Sequence, residues 1–152
     1  MRGRTHVDIL ALALLILLNG VFAMSEIALV ASRKARLAKL ASEGDSAASA
    51  ALGLGEDPTQ FLSTVQIGIT SIGLLNGIVG EAALAGPFSQ WLHTLGVPFT
   101  TASILATTSV VIVITYVSIV VGELVPKRIG QMNPESIARL VARPMMALAF
   151  LT

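Results

Sequence analysis

The sequence predicts an all-α membrane protein with three transmembrane helices. Of its 152 residues, 54% are hydrophobic and only 12% are charged, and its mean hydropathy is +0.80, which is unlike an ordinary soluble domain. Three apolar segments, at about residues 7–31, 61–85 and 101–125, each exceed the ~20 residues that cross a ~30 Å hydrocarbon core. We therefore expect a single transmembrane domain over residues 1–152.

The distribution of basic residues predicts the orientation of these spans. Four bases follow the first span and four follow the third, whereas the loop at 86–100 has no lysine or arginine. The positive-inside rule then places the N-terminus outside and the C-terminus in the cytoplasm. The eight bases are Arg33, Lys34, Arg36, Lys39, Lys127, Arg128, Arg139 and Arg143.

The first span is a Leu/Ile/Ala-rich helix that Asn19-Gly20 interrupts, with Ser25 and Glu26 in its cytoplasmic third. The Ser25 hydroxyl either contributes to a polar site or bonds back to the carbonyl one turn earlier, as membrane serines usually do. Glu26 either has a structural or gating role at such a site or extends to the interface and pairs with Arg33 and Lys34. Both alternatives remain open for each residue.

Residues 32–55 are basic and then small and polar, which predicts a cytoplasmic juxtamembrane helical segment. Leu37 and Leu40 share one face of it. Membrane topology explains its four bases, so we expect no nucleic-acid partner, only the lipid bilayer. Asp57-Pro58 then supplies an N-cap and a first helical residue for the second span.

The second span contains many small and polar residues, so it is expected to face protein or water rather than lipid. Gly73 and Gly77 let another helix approach closely. We predict that this span ends at Gly86-Pro87 and that a short external helix, residues 87–95, follows. The small and polar residues are Gln66, Gly68, Thr70, Ser71, Gly73, Asn76, Gly77, Gly80 and Glu81.

The third span carries no charge from about Thr101 until Glu123, so a lone carboxylate lies near its end. Pro126 has no N–H to donate to the carbonyl of Gly122, which is thereby freed beside the carboxylate. Ser118 lies about one turn earlier. Because hard cations prefer oxygen ligands, this cluster predicts a cation site, with a purely structural polar seam as the alternative.

The remaining segments add a second juxtamembrane helix and several exclusions. Asn133-Pro134-Glu135 is typical of a helix start, which predicts a helix over 134–151 that Pro144 breaks or kinks. The apolar run up to Thr152 suggests a truncation before further domains. The sequence has no cysteine, which excludes thiolate ligands, and both histidines lie outside the spans, which argues against haem or zinc in the membrane.

Three motifs resemble the transmembrane domain of the CorC/cyclin M (CNNM) family of magnesium transporters: Ser25-Glu26-Ile27-Ala28-Leu29, Gln66-Ile67-Gly68-Ile69-Thr70 and Gly122-Glu123-Leu124-Val125-Pro126-Lys127. The resemblance implies a homodimer in the cell (inner) membrane that exports Mg²⁺, coupled to Na⁺, with cytoplasmic CBS domains in the full-length chain. An asparagine is expected soon after Gln-x-Gly. Here Ile69 and Gly73 occupy the candidate positions and Asn76 comes later.

The sequence thus supports two functions. The first is a cation transporter domain with metal ligands Ser25, Thr70, Ser71, Asn76, Gly122 and Glu123, and with structural or gating roles for Pro126, Gly73, Gly77 and Glu26. The second is a dimerising membrane anchor without transport. A membrane hydrogen bond is worth only ~0.6–2 kcal/mol, whereas burying a carboxylate costs at least ~2.5 kcal/mol, which favours transport.

Two further expectations concern chemistry and assembly. No enzyme is expected, because the spans contain no serine nucleophile with a recognisable base. A dimer interface is expected on the small-residue faces of spans two and three, which include Gly73, Gly77, Ala102, Ala106 and Ser109.

Overall fold

The computed structural model describes residues 2–151, and within this range the chain is helical with no strand. Three of its helices, Gly3–Ala31, Pro58–Thr94 and Phe99–Met132, are long and apolar enough to cross a membrane. The all-α, three-span class is therefore confirmed, while the orientation of the termini stays a prediction.

The elements are α1 (Arg2–Ala31), α2 (Lys34–Ser42), α3 (Ser46–Glu56), α4 (Pro58–Thr94), α5 (Phe99–Ile119), a π-helical segment (Val120–Leu124), α6 (Val125–Met132) and α7 (Pro134–Leu151).

The predicted short external helix over residues 87–95 is not a separate element, because α4 continues through Pro87 to Thr94. The residue at which the second span leaves the membrane stays a prediction. Asp57 caps the start of this helix as expected, since its carboxylate accepts from the backbone N–H of Gln60 at 3.2 Å. A proline removes one backbone hydrogen bond. Ala85 and Ser89 are buried on either side of Pro87, so packing holds the helix together across that loss.

The helix of the third span also continues beyond residue 125, the predicted end of that span. After α5 the helix widens into the π-helical segment, in which the Val125 N–H donates to the carbonyl of Val120, five residues back. It then resumes as α6 up to Met132. Single π turns of this kind often occur at functional sites, and this one ends two residues before Pro126.

The juxtamembrane residues 32–55 form two helices, α2 and α3, rather than one. The chain turns between them at Gly44, whose φ of 95° lies in the region that favours glycine. Asp45 then caps α3 by accepting from the N–H groups of Ala47 and Ala48. The helix α7 runs through Pro144 without a break.

A hydrophobic core at the juxtamembrane end joins α2, α3 and α7 to α1 and to the start of α4. It includes Leu37, Leu54, Phe61, Val65 and Met145, all buried. This core holds together the ends of the first two spans that the predicted orientation places toward the cytoplasm.

The predicted dimer faces are partly used inside the chain. Ala102 and Ala106 on α5 are fully buried, because α5 packs along α4. Those two alanines therefore do not form an outer interface. Gly73 and Gly77 differ, since a Cβ added at either would meet nothing within 4 Å.

Candidate cation site

The site is built where α1 touches the π-helical segment. The side chain of Asn19, which is 5% exposed, donates from Nδ2 to the carbonyl of Gly122 at 2.9 Å. Two glycines permit this approach: a Cβ on Gly20 would lie 3.0 Å from Cγ of Pro126, and a Cβ on Gly122 would lie 3.2 Å from Nδ2 of Asn19. The carbonyl that Pro126 was expected to free thus accepts a hydrogen bond from α1.

A cavity of about 190 Å³ lies beside this junction, between α1, α4, α5 and the π-helical segment. We call it the central cavity. It contains polar side chains from all four elements, together with apolar walls. Its lining residues are Asn19, Ile69, Gly73, Asn76, Gly77, Ile114, Thr115, Ser118, Ile119 and Glu123.

Several polar atoms of the central cavity are buried without a hydrogen-bond partner among residues 2–151. These atoms are Oδ1 of Asn19, both Oδ1 and Nδ2 of Asn76, and Oγ of Ser118. Asn76 is only 1% exposed. An unsatisfied buried polar group costs about 1–3 kcal/mol, so these three side chains leave hydrogen-bonding capacity unused around one cavity.

Glu123 supplies the negative charge of the cavity. Its Oε1 lies 2.9 Å from Nζ of Lys127, and the same ammonium lies 3.3 Å from Oε2 of Glu26. Glu26 therefore pairs with Lys127 rather than with Arg33 or Lys34. The reason is that α6 continues the third span and brings Lys127 one turn past Glu123, against α1. The three groups together carry a formal net charge of −1.

The other predicted ligands lie outside the lining of the central cavity. Ser25 is fully buried, and its hydroxyl donates to the carbonyl of Val21 at 2.6 Å, one turn earlier. Thr70 and Ser71 are exposed, and Thr70 Oγ1 accepts from Gln66 Nε2 at 3.5 Å. Gly122 is buried and engaged by Asn19. Their roles as ligands stay predictions.

Asn19 was not predicted as a site residue. Its only signal in the sequence was an amide within an otherwise Leu/Ile/Ala-rich span. The contact with the π-helical segment that gives this amide a role is visible only in the structure. Ser118 was placed near Glu123 by spacing, and the structure places it in the same cavity.

The chemistry of the cavity is that of neutral oxygens around one carboxylate. Within the described part of the chain, no three His, Cys, Asp or Glu side chains come together as a metal cluster. Amide, hydroxyl and carboxylate oxygens suit hard cations that keep some of their water, and they suit an ammonium group equally through hydrogen bonds.

Comparison with known proteins identifies the family. The model of the cyclin M transmembrane N-terminal domain (CNNM) matches residues 9–152. Similar proteins include the UPF0053 protein sll0260 of Synechocystis, 46% identical over 147 residues (97% of this chain, 33% of that protein). The polyamine export protein of Escherichia coli K12 is 39% identical over 138 residues (91% and 31%), and the UPF0053 protein YhdP of Bacillus subtilis is 32% identical over 142 residues (92% and 32%).

The chain spans about a third of the length of these curated relatives. The family match, in contrast, covers almost all of this chain and agrees with its three apolar helices. The protein is a membrane protein that belongs to the cyclin M (CNNM) transmembrane-domain family.

Proposed function

We propose that this domain transports a cation across the membrane through the central cavity and that the cation is Mg²⁺. The observation that carries the proposal is the set of buried oxygens without a hydrogen-bond partner, Oδ1 of Asn19, Oδ1 of Asn76 and Oγ of Ser118, around the Glu123 carboxylate. A structural seam would pair these groups with one another, because unpaired polar groups are costly where water is excluded. A transported cation supplies the missing partner.

The volume of the central cavity fits a partly hydrated ion better than a bare one. Mg²⁺ binds oxygen at ~2.0–2.1 Å and usually keeps several waters. At ~30 Å³ per water, the cavity of about 190 Å³ has room for the ion with part of its hydration shell. In this arrangement the amides and the hydroxyl bind retained waters, and Glu123 supplies the counter-charge.

Lys127 neutralises part of the negative charge of Glu26 and Glu123 that would otherwise bind the ion. Its ammonium touches both carboxylates, so an entering dication must either displace it or share Glu123 with it. Displacement needs only a rotation of a flexible lysine side chain, and it would couple ion binding to the junction of α6 with α1.

A polyamine is the second candidate substrate. Lys127 is itself a primary alkylammonium, and it lies 2.9 and 3.3 Å from the two carboxylates. The same pair of carboxylates could therefore bind the end of a polyamine. The Escherichia coli relative is named polyamine export protein, which favours this candidate independently.

The proposal extends to the whole protein. It includes export coupled to Na⁺, a homodimer in the cell (inner) membrane, and cytoplasmic CBS domains in the full-length chain, all of which rest on the family resemblance. Gly73 and Gly77 line the central cavity, and a Cβ added at either would meet nothing within 4 Å, which leaves room for a partner helix to approach there. The alternative is a dimerising membrane anchor without transport.

The test measures ligand binding by titration calorimetry on the chain in lipid nanodiscs. MgCl₂ and putrescine are titrated into wild type, Glu123→Gln and the matched control Glu56→Gln, which makes the same change at an exposed residue at the end of α3. We expect Mg²⁺ to bind wild type and the control, and Glu123→Gln to lose at least about 100-fold in affinity, or ~2.7 kcal/mol.

The other outcomes assign the alternatives. Binding of putrescine without Mg²⁺, again lost in Glu123→Gln, selects the polyamine. Binding of neither ligand, or equal binding by all three proteins, contradicts a cation site at Glu123 and leaves the anchor.

A further inference from the structure

A second polar cavity lies between α4 and α5, close to the loop that joins them. Its volume is about 220 Å³, and it shares no lining residue with the central cavity. We call it the loop-side cavity, and by the predicted orientation it lies toward the outside. Its lining residues are Glu81, Ala85, Gly86, Ser89, Gln90, Phe99, Ser103 and Thr107.

Glu81 places a carboxylate in this cavity without a cationic partner. It is half-buried and belongs to the second spanning helix. Thr107 Oγ1 donates to its Oε1 at a long 3.5 Å, and no Lys, Arg or His pairs with it in the described range 2–151. The nearby loop has no lysine or arginine to provide one. A carboxylate in a membrane span normally pairs or marks an ion pathway.

Ser89 provides a second and independent indication of a ligand. It is only 6% exposed, it lines the loop-side cavity, and its Oγ has no hydrogen-bond partner in the described structure. A helical serine commonly bonds to the carbonyl one turn earlier, as Ser25 does. Ser89 forgoes that bond, so its hydroxyl is available to a molecule or ion in the cavity.

An apolar contact separates the two cavities. A Cβ on Gly80 would lie 1.9 Å from Cδ1 of Ile114, so the two helices touch there. Ile114 is buried and packs in a cluster with Ala85 and Val110. Ile114 lines the central cavity, and Glu81, the residue after Gly80, lines the loop-side cavity. The contact between Gly80 and Ile114 therefore lies between the two cavities.

We propose that the loop-side cavity is a second cation site, which binds a hard monovalent cation with Glu81 as its counter-charge. The polar groups of the cavity are one carboxylate, three hydroxyls and one side-chain amide, and oxygen is the donor that hard cations select. One carboxylate without a neighbouring base balances one positive charge. Sodium is the probe that matches this charge, and the hydroxyls of Ser89 and Thr107 are its neutral ligands.

The site does not depend on the proposed role of the central cavity, and its test is separate. Equilibrium binding of radiolabelled sodium is measured on the chain in nanodiscs, with choline chloride holding the ionic strength constant. We expect saturable binding by wild type, at least tenfold weaker binding by Glu81→Gln, and several-fold weaker binding by Ser89→Ala. The control Thr108→Ala, an exposed α5 residue outside the cavity, should bind like wild type.

Glu123→Gln should bind sodium as wild type does, because Glu123 lines the central cavity and not the loop-side cavity.

Three results would overturn the proposal: no saturable sodium binding by wild type, unchanged binding by Glu81→Gln, or loss of binding in Glu123→Gln with Glu81→Gln unaffected. Ser89→Ala is a second test that does not depend on the folding of Glu81→Gln. It deletes only a hydroxyl that has no hydrogen-bond partner in the described structure, so it should not disturb the fold. Should Glu81→Gln fail to fold, undiminished sodium binding by Ser89→Ala would overturn the site.

Discussion

Polar side chains are paired in the juxtamembrane helices and left without partners in the central cavity. In the juxtamembrane region, Asp45 accepts from the N–H groups of Ala47 and Ala48 at 3.0 and 3.1 Å and pairs with Arg139. In the central cavity, Asn76 is more deeply buried and has no partner at all within residues 2–151. Apart from Nε of Arg139, the unpartnered buried side-chain atoms belong to the spanning helices.

Under the proposed function, this difference separates a region that serves stability from a region that binds a cation. Side chains that only hold helices together can satisfy one another, as Arg139 does with Asp45 and Arg143 does with Ser46, beside a hydrophobic core. Groups that must exchange partners with an ion are left without an internal one. Substitutions in the first region should therefore change stability, and substitutions in the second should change cation binding.

Removing the positive charge of Lys127 should have the largest effect among the variants that test this comparison. In Lys127→Gln the ammonium no longer competes for Glu123, so we expect Mg²⁺ affinity to rise about tenfold, or ~1.4 kcal/mol. Titration calorimetry measures the change. Arg139→Gln, which breaks an ion pair of the juxtamembrane region, is the matched control and should leave the affinity unchanged. An equal effect of both variants would remove the distinction between the two regions.

Restoring a backbone donor at Pro126 should have a smaller effect. In Pro126→Ala the new N–H can donate to the Gly122 carbonyl, which competes with Asn19 and loosens the junction of α1 with the π-helical segment. We expect about threefold weaker Mg²⁺ binding, or ~0.7 kcal/mol, with the fold intact. Pro87→Ala makes the same change inside α4, away from the central cavity, and should bind as wild type does. Binding equal to that of wild type, or tighter, would show that the junction of α1 with the π-helical segment does not support the site.

The smallest effect concerns the acid stability of the juxtamembrane region. The N–H of Ala48, and then the charge of Arg139, hold the pKa of Asp45 below its usual value of 3.8. Because the folded pKa is the lower one, the stabilisation is fully present above pH 3.8 and is lost as the pH falls through the folded pKa. Melting curves recorded from neutral to acid pH should show a smaller acid loss in Asp45→Asn than in wild type. An identical pH profile would contradict this role.

The sequence predicted the features that depend on local signals. Three apolar segments of sufficient length predicted three spans, and a lone carboxylate four residues before a Lys predicted Glu123 as a polar centre. Proline was a less reliable signal, because Pro87 and Pro144 lie inside continuous helices. The local cost of proline was real in principle, but tertiary packing on both sides outweighed it.

The rest of the site depends on contacts between distant parts of the chain. Asn19 and Gly122 are 103 residues apart in sequence, and nothing local in α1 indicates that its amide will meet a π turn. Ser25 illustrates the converse, because a motif drew attention to a hydroxyl that bonds within its own helix. Side-chain identity alone could not tell which polar residues of the spans would be left unpartnered.

The central claim is that the unpartnered Asn76 amide is there for a cation, and Asn76→Ala tests it most directly. The substitution removes two unsatisfied buried atoms without filling the cavity, so the melting temperature should stay the same or rise. Mg²⁺ affinity, measured by calorimetry on the same sample, should fall at least about tenfold. A protein that is destabilised and binds Mg²⁺ as wild type does would show that Asn76 serves the fold, and it would contradict the account.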